Sequence, residues 1–140
     1  MPDSDVGFAE FAAAPEVGWR SLSAELGLES CGVSLMVFRP GQRWRIHTHD
    51  RQEEIYLVLA GELTVVIEEA EHVLGPRQAL RVAPGVRRQP VNRGPAPVEF
   101  LAVGAAGEHH SRDARAWTAW DEGGDGRPPR EVPLPDDLLA

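Results

Sequence analysis

From Trp19 to Val103 the chain alternates between short apolar runs and turns built on Gly or Pro, and that rhythm limits the folds open to it. Runs rich in Val, Leu and Ile occupy 19–25, 32–38, 43–49, 54–60, 63–67, 71–74, 79–82, 89–92 and 98–103. Between them stand Arg39-Pro40-Gly41, Ala60-Gly61-Glu62, Gly75-Pro76, Ala83-Pro84-Gly85 and Arg93-Gly94-Pro95. Pro fixes one backbone angle and removes a donor, while Gly admits left-handed turns, so each cluster reverses the chain. With 14 Gly and 12 Pro in 140 residues, long helices have little room. Many short strands at this spacing predict an all-β sandwich or barrel.

The ends read differently. Residues 1–18 form an arm with a short helical stretch at 6–14, stopped by Pro15. After the last strand, the segment HSRDARAWTAWDE predicts a short amphipathic helix over 112–120. Such a helix would lay Trp117 and Trp120 on the barrel as a packed cap, in preference to an aromatic lid over a ligand. Residues 121–135 are rich in Gly, Pro and charge and are expected to be irregular, with no core of their own. The organisation expected is one domain over 1–140: an arm at 1–18, a barrel over about 19–106 and an extension at 107–140. A chain of this size buries enough surface to fold without a metal or disulfide staple.

Charge and cysteine use narrow the partners. The net charge is −8, with two Arg against six acids in 1–40, four against nine in 94–140, and eight against seven in 41–93. A duplex-binding protein presents a basic face, so no nucleic-acid partner is expected. All 14 basic residues are Arg, which gives the middle segment rigid groups able to grip anions in two-point fashion. Cys31 is the single cysteine and reads as a buried structural thiol before an apolar run, and no intramolecular disulfide can form. The acidic start, with Asp3, Asp5 and Glu10, is unlike a secretory signal, and no apolar run approaches a membrane span. A cytoplasmic protein with no membrane partner is expected.

Chemistry concentrates in 41–61. Alternate residues of a strand share a face, so His47 and His49 point the same way, as should Arg43 and Arg45 unless a bulge intervenes. On the following strand Glu54 shares its face with Tyr56 and Val58. Two imidazoles and one carboxylate make a facial N, N, O set that suits Fe, Mn, Ni, Zn or Co and leaves open positions. The plainer alternative is a pair of surface histidines in a turn. Tyr56 either packs or donates a proton or hydrogen bond in the cavity. His72, His109 and His110 read as surface or loop residues, and Glu68, Glu69 and Glu71 as a solvated turn guarding a strand edge.

The segment GQRWRIHTHDRQEEIYLVLAG, residues 41–61, resembles the first motif of the cupin superfamily, G-x5-H-x-H-x(3,4)-E-x6-G, at every fixed position. The interval to Gly61 selects Glu54 over Glu53. The resemblance implies a cupin-type double-stranded β-helix, a jelly-roll barrel, paired as a homodimer. It implies that His47, His49 and Glu54 are ligands of a divalent transition metal (Fe, Mn, Ni or Zn), and that Gly61 makes the hairpin turn. The second motif, G-x5-P-x-G-x2-H-x3-N, is matched imperfectly. Aligned on Gly85 and Asn92, its other positions fall on Arg77, Ala83 and Arg88, with Pro84 one place from the expected proline.

Arg88 therefore stands where the family keeps a fourth ligand, and a guanidinium has no lone pair to offer. Two readings follow. In one, His47, His49 and Glu54 hold the metal while Arg88, Arg45 and Tyr56 contact a small polar or anionic substrate, with oxygenase chemistry first and isomerisation or decarboxylation second. In the other, Arg88 pairs with Glu54, and the chain is a metal-free, non-catalytic binder of a small ligand.

Overall fold

A computed structural model describes residues 5–10, 18–105 and 113–135. Its strands are β1 (Gly18–Ser21), β2 (Cys31–Phe38), β3 (Ile46–His49), β4 (Glu53–Ala60), β5 (Leu63–Ile67), β6 (Ala70–Leu74), β7 (Ala79–Val82), β8 (Arg88–Val91), β9 (Val98–Ala105) and β10 (Ala114–Trp117). One short helix, α1 (Leu22–Leu26), follows β1, and a 3-10 turn spans Pro129–Glu131. The strands form two five-stranded sheets with orders β1-β2-β9-β4-β7 and β10-β3-β8-β5-β6, every pair antiparallel. The alternating runs predict the short strands, and the two facing sheets are the jelly roll that the motif resemblance implies.

Period-two patterning explains how the sheets face one another. On β4, Glu54, Tyr56 and Val58 are buried, while Ile55, Leu57 and Leu59 on the outer face stay more than a third exposed. The core between the sheets is built from Met36, Phe38, Tyr56, Val58, Leu63 and Val65, with Leu74, Val82, Val98 and Phe100. Phe100 meets Phe38 edge to face at 5.3 Å and Tyr56 at 6.0 Å, which ties β2, β4 and β9 into one packed layer. Gly61 closes the β4–β5 hairpin at φ 79°, and a Cβ there would lie 2.3 Å from the Pro97 carbonyl oxygen. Only glycine fits that turn.

Four expectations are corrected. The run 19–25 is not one strand: β1 ends at Ser21 and α1 begins, because turning there buries Leu22. Gly27 at φ 72° caps α1, with the Leu28 N–H donating to the Ser23 carbonyl at 2.9 Å, a helix stop of the left-handed type. The run 43–49 is strand only from Ile46, with Arg43 held by an isolated bridge to Val91. Arg43 consequently lines a separate polar depression with Gln89 and Arg93, away from the face of His47 and His49.

The third correction concerns the helix expected at 112–120. Residues 114–117 are β10, paired antiparallel to β3, because an edge strand with open backbone groups gains more from pairing than Ala and Arg gain from a free helix. Trp117 and Trp120 do act as a packed cap: the Arg87 guanidinium lies 5.3 and 5.4 Å from their ring centres, and the Trp120 indole N–H donates to Gln89. Fourth, the 121–135 segment is largely irregular but not coreless, since Val132 is fully buried. Of the helix expected at 6–14, residues 6–10 are non-helical with Val6 and Phe8 exposed, and 11–14 lie outside the described residues, as do His109 and His110.

Candidate functional site

The site forms where the two sheets face each other. β3 carries His47 and His49 on one sheet, and β4 carries Glu54 on the other. A single tight corner, 50–52, joins these strands, and it is held by a residue that sequence reading did not single out. The buried Asp113 carboxylate accepts the Arg51 and Gln52 backbone N–H groups at 3.0 and 3.1 Å, and its carbonyl accepts the Asp50 N–H at 2.7 Å. Its Oδ2 also lies 3.8 Å from Nδ1 of His49. Nothing local to Asp113 marks this role, because the contact spans some sixty residues of chain.

The three expected ligands converge. Nε2 of His47 is 3.6 Å from Glu54 Oε1, Nε2 of His49 is 3.3 Å from Oε2, and the three ligand atoms all lie within 4.8 Å of one another. Bonds of about 2.1 Å put neighbouring donors about 3 Å apart and opposite donors about 4.2 Å apart, so this spacing suits one ion. The His47 Nδ1–H donates to the Arg45 carbonyl at 2.9 Å, which fixes the tautomer with the Nε2 lone pair facing the carboxylate. Burial holds the His47 imidazole below its ordinary pKa, reinforced by His49 and Arg88 against the pull of Glu54. It is therefore neutral near pH 7, the form a metal binds.

Glu54 is braced from one side. The Tyr56 hydroxyl donates to Oε1 at 2.5 Å, and Arg88 Nη1 approaches the same oxygen at 3.4 Å. Burial alone would raise the carboxyl pKa, but the bonds and charges of His47 and His49 outweigh it and hold Glu54 well below the ordinary range. Burial, with the neighbouring Glu54 charge, pushes the Tyr56 phenol well above its usual value, so it keeps its proton and serves as donor. Arg88 has 0 % of its surface exposed; its Nη2 donates to the Ala83 carbonyl at 2.9 Å, and its Nε has no partner. Arg88 stands across from His47 in the β3–β8 register, with its guanidinium against Glu54 Oε1.

That cavity, of about 230 Å³, opens from the ligand set. Met36, Phe100, Ala102 and Pro90 form its inner walls, and Trp44, Trp19 and Pro129 its outer part, with Ser34 and Arg45 as the other polar linings. The Arg45 Nε donates to the buried Val132 carbonyl at 2.6 Å, and its guanidinium rests 5.5 Å from the Trp44 ring. His72 is exposed on β6 and takes no part. Cys31 is half-buried at the start of β2.

Comparison with known proteins identifies the architecture. The family model described as "Cupin domain" matches residues 34–104, just over half of the chain. The chain is a cupin. It is similar to a sugar phosphate isomerase of the cupin superfamily from Silicibacter pomeroyi DSS-3, at 31% identity over 68% of each chain with a TM-score of 0.58. A cupin protein from Bacteroides fragilis matches at 24% identity over 83% of this chain and 96% of that one, with a TM-score of 0.60, and shares the fold. A predicted oxalate decarboxylase from Thermotoga maritima matches at 26% identity over 53% of this chain and 64% of that one, with a TM-score of 0.50. A search of curated proteins found no match. Among the described residues, no helix is long and apolar enough to cross a membrane.

The donor set fits the metal that this fold family implies. Two imidazoles and a carboxylate bring ligand atoms within 4.8 Å of one another; Oε2 of Glu54 lies beside His49, while Oε1 accepts from Tyr56 and neighbours Arg88. Arg88, which the second-motif resemblance aligns with the family's fourth ligand, is a cation instead.

Proposed function

We propose that this cupin is a cytoplasmic metal-dependent enzyme that holds Fe, Mn, Ni or Zn through His47, His49 and Glu54 and acts on a small polar or anionic molecule. The observation that carries the reading is the convergence of three ligand atoms within 4.8 Å at the inner end of a ligand-sized cavity. When bound, the ion supplies a Lewis acid with open positions and, if redox-active, a route to dioxygen chemistry. The protein's own groups do the rest. Tyr56 keeps its proton on Oη and orients Glu54, and Arg45 offers a cation to the substrate's anionic end. Met36, Phe100 and Trp44 give the cavity apolar walls.

Oxygenase chemistry ranks first, with decarboxylation beside isomerisation in second place, and a count of proton carriers weighs against isomerisation. Moving a proton along a carbon chain needs a free general base within hydrogen-bond reach. Among the described residues, the titratable side chains lining the cavity apart from the ligands are Arg45 and Tyr56, and Tyr56 is engaged as a donor. The isomerase relative nevertheless keeps isomerisation as the second activity to assay. One observation favours a different class altogether. The 3.4 Å approach of Arg88 to Glu54 is what a metal-free ligand binder would need, with the guanidinium replacing the ion.

Elemental analysis separates these. Protein purified without added metal and without chelators should carry close to one transition-metal ion per chain. Folded protein that carries none supports the metal-free binder. We also propose a homodimer formed through the exposed apolar row Ile55, Leu57 and Leu59 of β4. Light scattering should then give twice the chain mass for the wild type and the single-chain mass for Leu57→Glu.

A further inference from the structure

Two observations outside the ligand set narrow what the cavity takes. Once His47, His49, Glu54 and Tyr56 are set aside, the walls that the described residues form are apolar except at Ser34 and Arg45. An apolar cavity of about 150 Å³ already holds a benzene ring. At about 230 Å³ this one has room for a ring or branched chain with a short acid arm. A polyhydroxylated ligand would bring several hydroxyl groups out of water, and two polar wall residues cannot pair them all. The wall composition selects an apolar body.

The charges select an anionic end. The single negative charge of Glu54 is already matched by Arg88 at 3.4 Å, and the Asp113 carboxylate is committed to two backbone N–H groups. As ligands, two imidazoles would offer lone pairs and bring no negative charge. A divalent ion beside these groups would leave positive charge that the cavity lining does not offset, and Arg45 adds one more cation to the wall. Arg45 is also preset rather than free. Its Nε is fixed by the Val132 carbonyl, and Trp44 lies 5.5 Å from its guanidinium. The segment after β10 therefore builds part of the site, supplying Pro129 to the wall and Val132 to the anchor of Arg45.

We infer that the ligand of this cavity is a small carboxylic acid with an apolar body, aromatic or branched aliphatic, whose carboxylate is gripped by Arg45. The inference rests on the proposed reading that this cavity is the ligand site, and it departs from the sugar phosphate that the relative's description would point to. The ring lies among Met36, Phe100 and Trp44, and the acid arm turns toward Arg45.

The test is titration calorimetry on the full chain as purified, with the metal content of the same sample measured. The probes are phenylpropionate, phenylpropionamide and glucose 6-phosphate. Wild-type protein should bind the acid about ten-fold more tightly than the amide or the sugar phosphate, since a charge-assisted bond to Arg distinguishes the first pair. Arg45→Gln should abolish the preference for acid over amide, and Arg45→Lys should restore most of it, an outcome that general loosening of the fold does not produce. Should Arg45→Gln fail to fold, Ala102→Leu, which fills the inner wall, must weaken the acid by about the same factor. Equal affinity for acid and amide, tighter binding of glucose 6-phosphate, no binding of the acid, or an undiminished preference in Arg45→Gln each overturns the inference. A metal-free sample that keeps the preference removes the metal reading and leaves this inference standing. A metal-loaded sample indifferent to the carboxylate removes this inference alone.

Discussion

Arg88 is the residue on which the site's chemistry turns. Its guanidinium is buried, bonded to the Ala83 carbonyl and set against Glu54, at the position that the motif resemblance aligns with a fourth ligand. Replacing it by histidine should add a lone pair and remove a cation at once. Arg88→His is expected to bind Zn(II) about ten-fold or more tightly than wild type in a titration. Arg88→Met should destabilise the metal-free protein by about 3–5 kcal/mol, read from chemical denaturation, because a buried carboxylate loses its charge partner. Acid sensitivity follows from the same groups. His47 titrates below its ordinary 6.5 and Glu54 below its ordinary 4.5 in the folded chain, so the unfolded chain binds more protons as pH falls. Stability from His47 is complete above pH 6.5 and that from Glu54 above pH 4.5, and each is lost as pH falls toward the folded value. The melting temperature of the chelated protein should drop from pH 7 to pH 5 and drop again below 4.5, with the second fall reduced in Glu54→Gln. A profile that is flat or rises toward acid contradicts this assignment. The ligand trio was legible in the sequence because strand alternation and fixed spacing both point to it. Asp113 was not, because its only signal is a contact far along the chain.

Among the elements, legibility follows what holds each one in place. β5 and β7 match the sequence reading at both ends, since each is an apolar run closed by turn residues. The 19–25 run failed because Leu, Ser, Ala and Glu suit either state, and burial of Leu22 beside β2 decides for a helical turn. β10 failed for a related reason: residues 114–117 favour a helix locally, but β3 presents a strand edge that only a strand can cover. That account makes Trp117 structural. It is buried on β10 beneath Arg87, so Trp117→Ala should cost about 3–5 kcal/mol in denaturation experiments. A loss under 1 kcal/mol would show that β10 is not anchored this way. The Gly61 turn is the second elemental test. Gly61→Ala must accommodate a left-handed backbone and a clash with the Pro97 carbonyl, and should lower stability by about 2 kcal/mol or more.

At the scale of the whole molecule, the two sheets, the cavity and the ligand trio form one device. The barrel buries Phe38, Tyr56 and Phe100 between its sheets, and that rigid layer carries Glu54 toward β3. The strand from Ile46 to His49 is held on both sides, by β8 and β10, which keeps two imidazoles aimed at one point. A metal ion at this point is what the proposed function requires. Titration of the full chain with Zn(II) and with Ni(II), in wild type and in His47→Ala, tests it most directly. The account predicts saturation near one ion per chain in wild type and loss of that binding in His47→Ala. Wild-type protein that takes up neither ion, or His47→Ala that binds as tightly as wild type, would contradict it.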